Sequence, residues 1–550
     1  MGLFCFICIQ MIDQKYIEAY RNRSFNSFFE ENPRRYDEDS ADKGLIAFNA
    51  HLGNSFSEID QGNDFKTASE QSPFTGDKLG VTYSNQTVDA NITLAKSSQL
   101  SLSKLSIEHR FAMLKESLDN LEKRFFELAY ATMHTAGQSF MMSFQASGPH
   151  AADRALEAMV ASYLELNTFP NKVDWIKDFG KFQLKIEKDF VPVSKGIGLV
   201  IGCSTFPTWN SVTAIYANLM CGNPVIVKPH PTSILPMAIL VSEIRNATQN
   251  YNCAVDIIQI ATDTLEEPIT KQFTEHSEIK LIDYTGGNQF GDYVEGLEGK
   301  VTFTEKAGVN CCIIDSVYDM NKVAGNIAFS ASLYSGQMCT APQNIFIPKD
   351  GIRNGDEKLT YSETVELIKG AIVGLVENPK AGPGTLGAIQ SENTLKRVSE
   401  YNSRDGVLLA SKQGSNPEFE NARLATPMII ETDSADYSSY SEECFGPIIF
   451  IVKTDSTESS LSLAQQLATE KGALTCLCYT TDDSKKEHIR NTMNSVFVPV
   501  SFNFTGAGFV NQHAAFSDLH VTGGNPAGNA TFTNSEYISK RFVWVGNRYM

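Results

Sequence analysis

Residues 196–202 read Gly-Ile-Gly-Leu-Val-Ile-Gly, a short apolar run bounded by glycines. Similar apolar runs follow at 224–228, 255–260 and 279–284. Stretches with helical periodicity separate these runs, at 208–221, 232–248 and 264–275. Because parallel strands need crossover segments, this alternation predicts an α/β fold with a mostly parallel, doubly wound sheet. Ligands of such sheets bind at the carboxyl ends of the strands.

Composition places the chain among acidic globular proteins. Of its 550 residues, 42% are hydrophobic and 20% are charged, and the length predicts roughly three to four domains. With 46 Lys and Arg against 64 Asp and Glu, the formal net charge is −18. A surface of that charge repels phosphate backbones, so no nucleic-acid partner is expected. The sequence has no run of 18 or more apolar residues, so no membrane-spanning helix is expected.

The first nine residues resemble the apolar part of a signal peptide. They have no basic residues before them and no small-residue cleavage site after them. Phe6 also breaks the myristoylation pattern. We interpret the segment as a buried or frayed terminus, or as an over-long start with translation beginning at Met11, and we expect a cytoplasmic protein.

Cysteine usage agrees with that location. The eleven cysteines are odd in number and scattered, which favours reduced thiols over a disulfide framework. Neither Cys5-x-x-Cys8 nor Cys476-x-Cys478 has a second pair of ligands nearby, so no metal site is predicted.

The segments before residue 196 have weaker patterns. Residues 12–100 are rich in Asn, Ser, Asp and Gly and predict an irregular arm with short helices. Apolar residues from Ile107 to Leu128 recur at alternating steps of four and three, which predicts one amphipathic helix packed on a core. We expect a second helix over 151–166 and an exposed strand pair over 181–193.

Two side chains suggest covalent chemistry. Cys339 follows a Gly-Gln turn and precedes a proline-marked loop, which would present its thiol as a nucleophile requires. A structural cysteine is the alternative for this position. Glu305 ends a predicted strand before a turn of small residues, so its carboxylate is expected to project into a cleft as a general base.

Five motifs in order resemble those of the aldehyde dehydrogenase superfamily, and the resemblance covers the chain from about residue 100 onward. The nucleophile motif G-Q-x-C is matched at 336–339, and E-x-F-G-P is matched in full at 443–447. The other three matches are Glu305 with Gly308, Lys228-Pro229, and the turn Tyr284-Thr-Gly-Gly287.

The resemblance implies an aldehyde dehydrogenase-like fold, with two doubly wound Rossmann-like domains and a small oligomerisation element. It also implies a homodimer or homotetramer. The boundaries expected from it are an N-terminal arm at 1–100, a cofactor-binding domain at 101–178 and 193–303, a catalytic domain at 304–506, and an oligomerisation and C-terminal segment at 179–192 and 507–550.

The sequence is most similar to the PaaN subgroup of phenylacetic acid degradation proteins. That similarity depends on 201–210, 228–231 and 509–518, and on arm segments at 21–25 and 72–76. It implies a substrate from aromatic catabolism, with a semialdehyde of phenylacetate catabolism as one candidate.

The sequence departs from the family pattern at several ligand-binding positions. Thr205 stands where the family has an asparagine that stabilises the oxyanion, and Pro231 replaces a glutamate that binds ribose. The glycine-rich turn has no counterpart at 261–268, and Gly287 replaces a serine. Because Lys228 is retained without the glutamate, NADP is expected to be accepted at least as well as NAD.

The resemblance implies a role for each site residue. Cys339 would attack the aldehyde, Glu305 would activate water, and Thr205 with the Cys339 N–H would stabilise the oxyanion. Glu443 and Phe445 would hold the nicotinamide ribose and ring, Lys228 the adenosine ribose, and Gly287 would form part of the dinucleotide site. Together they predict an NAD- or NADP-dependent aldehyde dehydrogenase.

Two other functions remain open at this level. One is a non-catalytic protein of the same fold that serves as a scaffold or binding module. The other is a coenzyme A-acylating or coenzyme A-thioester enzyme of aromatic catabolism. The carboxylate of Glu305 favours water as the acyl acceptor.

Overall fold

A computed structural model describes residues 12–62 and 64–550 of the chain. The interpretations of residues 1–10 and of Cys5-x-x-Cys8 lie outside this range. Within it, no helix is both long enough and apolar enough to cross a bilayer. All nine cysteines of the described ranges are unpaired, as the scattered cysteine pattern predicts.

The N-terminal arm folds as short helices and a small sheet. Its helices are α1 (Gln14–Asn22), α2 (Ser40–His51) and α3 (Val88–Ser103), with a 3-10 turn at Pro33–Arg35. Its strands β1 (Ser55–Phe56), β2 (Asp64–Thr67) and β3 (Thr82–Asn85) pair in the order β1-β3-β2. The Gln61 side chain exchanges hydrogen bonds of 2.9 and 3.0 Å with the backbone of Ile260, so the arm packs against the following domain.

Four helices and two strands follow: α4 (Ile107–Glu122), α5 (Phe125–Ala136), α6 (Phe140–Ser147), α7 (Pro149–Leu166), β4 (Lys172–Asp178) and β5 (Gln183–Ser194). The prediction of one helix from Ile107 to Leu128 is wrong, because the chain breaks between α4 and α5. Arg124 at the break donates hydrogen bonds to carboxylates of Glu58, Glu127 and Glu243. The apolar spacing continues across the break since both helices bury side chains in the same core.

A parallel sheet contains the apolar runs that begin at residue 196. Its strands are β6 (Ile197–Ile201), β7 (Val225–Lys228), β8 (Ile258–Ile260), β9 (Ile279–Thr285) and β10 (Val301–Glu305), in the order β10-β9-β6-β7-β8. The helices are α8 (Pro207–Met220), α9 (Leu235–Thr248), α10 (Thr270–Glu275) and α11 (Asn288–Glu295). The doubly wound prediction is confirmed, although the helix predicted from residue 264 begins only at Thr270. Pro268 disfavours helical backbone in the residue before it.

A second sheet has seven strands, which are β11 (Cys311–Ile314), β13 (Asn344–Pro348), β16 (Val407–Leu409), β17 (Met428–Asp433), β18 (Ile448–Thr454), β19 (Cys476–Tyr479) and β20 (Val500–Phe502). Their order is β16-β17-β18-β13-β11-β19-β20, and only the edge pair β16-β17 is antiparallel. Cys311 and Cys312 alternate along β11 and enter separate apolar cores, which cover the two faces of this sheet.

The remaining elements of this region surround the second sheet. Its helices are α12 (Met320–Ser332), α13 (Tyr361–Val376), α14 (Gly382–Thr385), α15 (Glu392–Tyr401), α16 (Tyr437–Tyr440), α17 (Thr457–Glu470) and α18 (Asp483–Ser495). A small sheet contains β12 (Ser316–Val317), β14 (Ile352–Asn354) and β15 (Glu357–Leu359).

The chain ends with α19 (Ser535–Ser539) and β21 (Phe542–Tyr549). β21 and β4 flank β5 in a three-stranded antiparallel sheet. The predicted strand pair at 181–193 is therefore one strand, β5, between the preceding strand β4 and the distant strand β21. Before α19, the C-terminal segment returns to the end of β10, where Glu305 bridges to Gly528 and the Lys306 N–H donates to the Ala527 carbonyl at 2.7 Å.

Candidate active site

The loop that presents Cys339 is held by backbone conformations and buried hydrogen bonds. Tyr334, Ser335 and Gly336 all have positive φ, at 52°, 52° and 66°. A Cβ on Gly336 would lie 2.4 Å from the Gly446 carbonyl oxygen, so only glycine fits there. Gln337 fixes the turn, since its side-chain amide donates to Ala388 O at 3.0 Å and accepts from the Gln390 N–H at 2.9 Å.

Asn310 anchors the same loop from the start of β11. Its amide donates to the carbonyls of Cys339 (2.8 Å) and Ala341 (3.1 Å). Its oxygen accepts from the N–H groups of Leu474 and Thr475 at 2.9 and 3.1 Å. The nucleophile loop is therefore attached to the rigid second sheet, as precise positioning of a reacting atom requires.

Glu305 lies at the carboxyl end of β10 and is 1% exposed. One carboxylate oxygen accepts from Asn210 Nδ2 at 2.7 Å, and the other lies 2.9 Å from His520 Nε2. The Cys339 Sγ, a Glu305 oxygen and a His520 ring nitrogen lie within 4.8 Å of one another. The two residues that the sequence places far apart, Cys339 and Glu305, thus form one cluster.

The electrostatics of this cluster keep the carboxylate ionised and the thiol protonated. Burial raises the pKa of Glu305, but the charge and hydrogen bond of His520 and the hydrogen bond of Cys339 outweigh burial and lower it overall. Burial and the neighbouring Glu305 raise the pKa of Cys339 well above its ordinary value. The thiol proton therefore has an acceptor already in place.

Thr205 lies in the loop between β6 and α8. Its hydroxyl is 4.0 Å from the sulfur of Cys203, and its carbonyl accepts from Gln138 Nε2 at 2.8 Å. The hydroxyl contact found for Thr205 is thus with Cys203, and its role at an oxyanion stays a prediction. Asn210, one turn into α8, provides the carboxamide that contacts Glu305.

A cavity of about 430 Å³ opens over Cys339. Its wall is largely apolar and includes Met142, Phe206, Trp209, Phe329, Leu333, Met338 and Phe509. His513 and His520 line it on the side of the C-terminal segment. No lysine or arginine belongs to the lining of this cavity within the described ranges.

The N-terminal arm forms part of the cavity wall, with Phe25, Asn26, Ser27 and Glu31. Asp153 on α7 holds the arm, since its carboxyl accepts from the Phe28 N–H at 3.0 Å. The Phe28 ring also packs edge-on against Phe516, with centroids 5.1 Å apart. The arm that the sequence predicts only as irregular therefore contributes to the candidate substrate site.

A second, narrower crevice contains Glu443 and Phe445 with Gly308 and Met338. Met338 lines both spaces, so the Cys339 loop separates them. Burial raises the pKa of Glu443 to about 8. No hydrogen-bond donor among the described residues reaches its carboxyl group, which leaves that group available to a ligand hydroxyl. The Phe445 carbonyl accepts from Arg397 at 2.7 Å.

Lys228 ends β7 and is buried rather than free. Its ammonium lies 2.6 Å from a carboxylate oxygen of Asp263, and both side chains are almost fully buried. It also donates to the Pro229 carbonyl at 2.7 Å. Asp263 comes from the loop after β8, where the sequence shows no glycine-rich turn. The lysine is thus neutralised by a carboxylate that the motif comparison does not reveal.

Gly287 is the residue before α11, and a Cβ built there would meet nothing within 4 Å. The space beside this helix N-terminus is open, as binding of an anionic or polar ligand group requires. The Gly287 carbonyl accepts from the Tyr284 hydroxyl at 2.8 Å.

Four side chains of the site were missed in the sequence, namely Asn210, Asp263, His513 and His520. Asn210 and His513 do lie within segments that carry the subgroup resemblance, 201–210 and 509–518, and His520 follows the second segment. A buried polar residue at the start of a helix was the available signal for Asn210. No local signal pairs His520 with a strand end more than two hundred residues away.

Comparison with known proteins agrees with this geometry. The aldehyde dehydrogenase family pattern matches residues 60–516. A benzaldehyde dehydrogenase [NAD(+)] of Pseudomonas putida is 24% identical over 480 residues, covering 85% of this chain and 92% of the relative. An α-ketoglutaric semialdehyde dehydrogenase of Bacillus subtilis is 23% identical over 390 residues, covering 69% and 75%.

Solved structures give the same result. An NAD-dependent aldehyde dehydrogenase from Burkholderia multivorans superposes with a TM-score of 0.95 at 40% identity, covering 98% of this chain and 97% of that one. A 1-pyrroline-5-carboxylate dehydrogenase from Thermus with bound NAD has the same fold, with a TM-score of 0.73 at 16% identity and coverage of 96% and 99%. The sequence motifs, the Cys339–Glu305 cluster and these matches together show that the chain belongs to the aldehyde dehydrogenase family.

Proposed function

We propose that this chain is an NAD-dependent aldehyde dehydrogenase that converts uncharged, apolar aldehydes, aromatic ones above all, to carboxylic acids. The observation that carries the proposal is the position of the Cys339 thiol, which lines an apolar cavity and lies within 4.8 Å of the Glu305 carboxylate. A thiol with a proton acceptor and a substrate space beside it is the arrangement that covalent catalysis needs.

The first step uses both side chains. The Cys339 sulfur forms a bond to the aldehyde carbon while its proton passes to Glu305, and the carbonyl oxygen becomes an oxyanion. The Cys339 N–H and the Thr205 hydroxyl are the proposed donors to that oxyanion. When NAD is bound, it supplies the acceptor for the hydride that leaves the same carbon.

Hydrolysis then returns the enzyme to its starting state. After losing the first proton, Glu305 takes a proton from water as the water oxygen bonds to the thioester carbon. The carbon–sulfur bond breaks, the acid leaves, and the sulfur recovers a proton from Glu305. A buried carboxylate fixed by Asn210 and His520 supports water as the acceptor rather than coenzyme A.

The residues of the narrower crevice fit the nicotinamide half of NAD. The unpartnered Glu443 carboxyl can accept from ribose hydroxyls, and glycines at 308, 336 and 446 leave the backbone close to the space. Gly287 leaves room beside α11 for the dinucleotide. Lys228 and Glu443, with Phe445 beside the ring, are proposed to hold the cofactor.

Asp263 changes the expectation about cofactor choice. A 2′-phosphate adds roughly −1.5 to −2 charges, and a buried carboxylate beside Lys228 repels it. The same carboxylate can accept hydrogen bonds from ribose hydroxyls in place of the missing glutamate. We therefore propose a preference for NAD over NADP.

The cavity wall supports an uncharged substrate. An aldehyde that also carries a carboxylate would meet Glu31 and Asp153 but no lysine or arginine of the lining. An isolated buried carboxylate without a cation is strongly disfavoured. A semialdehyde with a free carboxylate is therefore a less suitable candidate than benzaldehyde-like or long-chain aldehydes.

A substrate panel tests this proposal. Benzaldehyde, phenylacetaldehyde and hexanal are compared with succinic and glutaric semialdehydes by the rate of NADH formation. We expect kcat/KM for the best uncharged aldehyde to exceed that of both semialdehydes by about tenfold or more. Equal or higher values for a semialdehyde would refute the assignment of the substrate class.

We also propose membership of the phenylacetic acid degradation subgroup. The segments that carry this similarity, 201–210 and 509–518, contribute Phe206, Trp209 and Asn210 and then Phe509 and His513 to the cavity. The similarity thus lies on the substrate side of Cys339, where it bears on the aldehyde.

A homo-oligomer is proposed from the sheet β21-β5-β4. Val191, Val193, Val543 and Val545 lie opposite each other on one face and are 41%, 45%, 52% and 40% exposed. Such an apolar strip is typical of an interaction surface. Light scattering after gel filtration should give a mass of two or four chains, and Val545→Lys with Val191→Lys should reduce it.

A further inference from the structure

The ring of His520 contacts a second histidine on the side away from Glu305. Nδ1 of His520 lies 2.9 Å from Nδ1 of His513, while Nε2 of His520 lies 2.9 Å from Glu305. His513 lines the cavity of about 430 Å³. The three side chains therefore form a continuous hydrogen-bonded row from the buried carboxylate to the substrate space.

Such a row matters because Glu305 must lose a proton in every turnover. Under the proposed function, on which this inference rests, Glu305 first takes the thiol proton and later has to accept one from water. It cannot do the second before the first proton has left. Glu305 is 1% exposed and is not among the residues that line the cavity, so its proton needs a carrier to reach the cavity water.

We propose that His520 and His513 conduct this proton from Glu305 to the cavity. The proton on Glu305 Oε1 passes to His520 Nε2, while His520 Nδ1 releases a proton to Nδ1 of His513. His513 releases its Nε2 proton to water in the cavity. The carboxylate is left accepting from His520 Nε2–H, and both rings have changed tautomer. Because both histidines line the cavity, they regain their starting tautomers by exchanging N–H protons with cavity water before the next transfer.

The surroundings favour transit over storage of the proton. Burial, then His520 and Arg154, lower the pKa of His513 to about 3. Arg154 is fully buried, with its guanidinium 4.0 Å from the Trp209 ring centroid, and its charge also faces Glu305 and Cys339. The Trp209 and Phe532 rings pack on His520 at 4.8 and 6.0 Å and hold its plane. Burial and these charges keep His513 from holding a second proton, so a proton that arrives at one ring nitrogen leaves from the other.

A purely structural role makes a different prediction. If His520 only positions Glu305, a glutamine at 520 could replace it, because a carboxamide N–H can donate to the same oxygen. A carboxamide cannot take a proton on one atom and release another, so it blocks conduction. Loss of the His513 ring alone would leave the His520–Glu305 hydrogen bond in place.

The test uses p-nitrophenyl acetate without cofactor, so that acylation and deacylation are read separately. The burst of p-nitrophenolate reports acylation of Cys339, and the later steady rate reports hydrolysis of the acyl-enzyme. The variants are His513→Ala and His520→Gln. His276→Gln, at a partly exposed histidine that lies beside Asp89 and outside the cavity lining, is the control. Thermal unfolding checks that each variant is folded. If His520→Gln does not fold, the result for His513→Ala alone decides whether the histidines conduct the proton.

We expect both variants to keep the burst and to lose about 10- to 100-fold in the steady rate, within the range of a proton-transfer contribution. Added imidazole should restore His513→Ala in proportion to its concentration, because the emptied position opens on the cavity. A steady rate within twofold of the wild type, or a slow rate that imidazole does not change, would overturn the proposal.

Glu305→Gln separates this proposal from the proposed function. If Glu305→Gln hydrolyses the acyl-enzyme at the wild-type rate, the base role itself fails. If Glu305→Gln stalls while His513→Ala is normal, only proton conduction by the histidines fails.

Discussion

The two ends of the ligand-binding region, at Cys339 and at Lys228, differ in how closely their residues match the family motifs. At the thiol end, Cys339 and Glu305 match the motifs and lie together as the motifs imply. At the Lys228 end, Pro231 and the loop 261–268 lack the motif residues, and Asp263 of that loop pairs with the lysine instead. Reacting atoms are hard to replace, whereas a charge or hydrogen bond to a ligand can come from any neighbouring segment.

At the thiol end, the side chains around the reacting pair also come from segments outside the family motifs. Asn210 and His520, which hold Glu305, come from a helix and from the C-terminal segment. Neither belongs to the motifs that identify the family here. The comparison therefore predicts large effects for the reacting groups and graded effects for groups recruited around them.

The largest effect is expected for Cys339→Ala. Removal of the nucleophile should reduce aldehyde oxidation by about a thousandfold or more, because the thioester can no longer form. The fold should be intact, with an unchanged circular dichroism spectrum, since Cys339 lies in a loop and is half-buried. Cys253→Ala, far from the site, serves as the control. Activity within tenfold of the wild type would remove Cys339 as nucleophile.

Glu305→Gln should allow one turnover and then stall. A carboxamide cannot take a proton from water, so steady-state NADH formation should fall by about 100- to 10,000-fold. Rapid mixing followed by mass spectrometry should detect acyl-enzyme. Glu298→Gln, which removes an exposed carboxylate before the same strand, is the matched control. An unchanged steady-state rate contradicts the base role.

Asp263→Asn should change cofactor choice by a smaller factor. We expect the wild type to prefer NAD over NADP by about tenfold or more, and the variant to lose about tenfold of that preference because Lys228 becomes free to pair with a 2′-phosphate. Quenching of protein fluorescence gives the Kd of each cofactor independently of turnover. Glu266→Gln on the same loop is the control. A wild type that binds both cofactors equally would show that Asp263 does not face the ribose.

The smallest effect concerns Asp153, which holds the arm. Burial raises its pKa in the folded protein from 3.8 to about 8. The unfolded chain therefore loses this proton near pH 4 while the folded chain keeps it, so the group costs stability progressively between about pH 4 and 8. Asp153→Asn, whose oxygen can still accept from Phe28, should raise the Tm by a few degrees at pH 9.

At pH 4 the Tm difference between Asp153→Asn and the wild type should shrink to a small part of its value at pH 9, because the wild-type carboxyl is then protonated in the folded state and about half protonated in the unfolded chain. Asp350→Asn, which changes an exposed carboxylate, should not alter the Tm at either pH. A Tm difference independent of pH would show that Asp153 is ionised in the folded protein.

The parts of the molecule that sequence could predict are those set by local pattern. The buried strands β6, β7 and β9 were predicted because both faces of a parallel sheet are covered and each strand is a continuous apolar run. The break at Arg124 was not predictable, since it depends on Glu58 and Glu243 in segments distant along the chain.

The same limit applies to the site. Cys339 and Glu305 carry recognisable neighbours, so they were identified. The pairs Lys228–Asp263 and Glu305–His520 form only when loops from different parts of the chain converge. Neither the local periodicity of the sequence nor its charge composition indicates which distant loops come together in the fold.

The position of the arm bears on how the substrate preference of this enzyme can change. Phe25 to Glu31 line the cavity, yet they lie before residue 60, where the family pattern begins. A segment outside the shared catalytic framework can vary without disturbing the chemistry, in the manner of an exchangeable cap. Grafting this cap between relatives offers a direct way to redirect aldehyde preference while the thiol and its base stay unchanged.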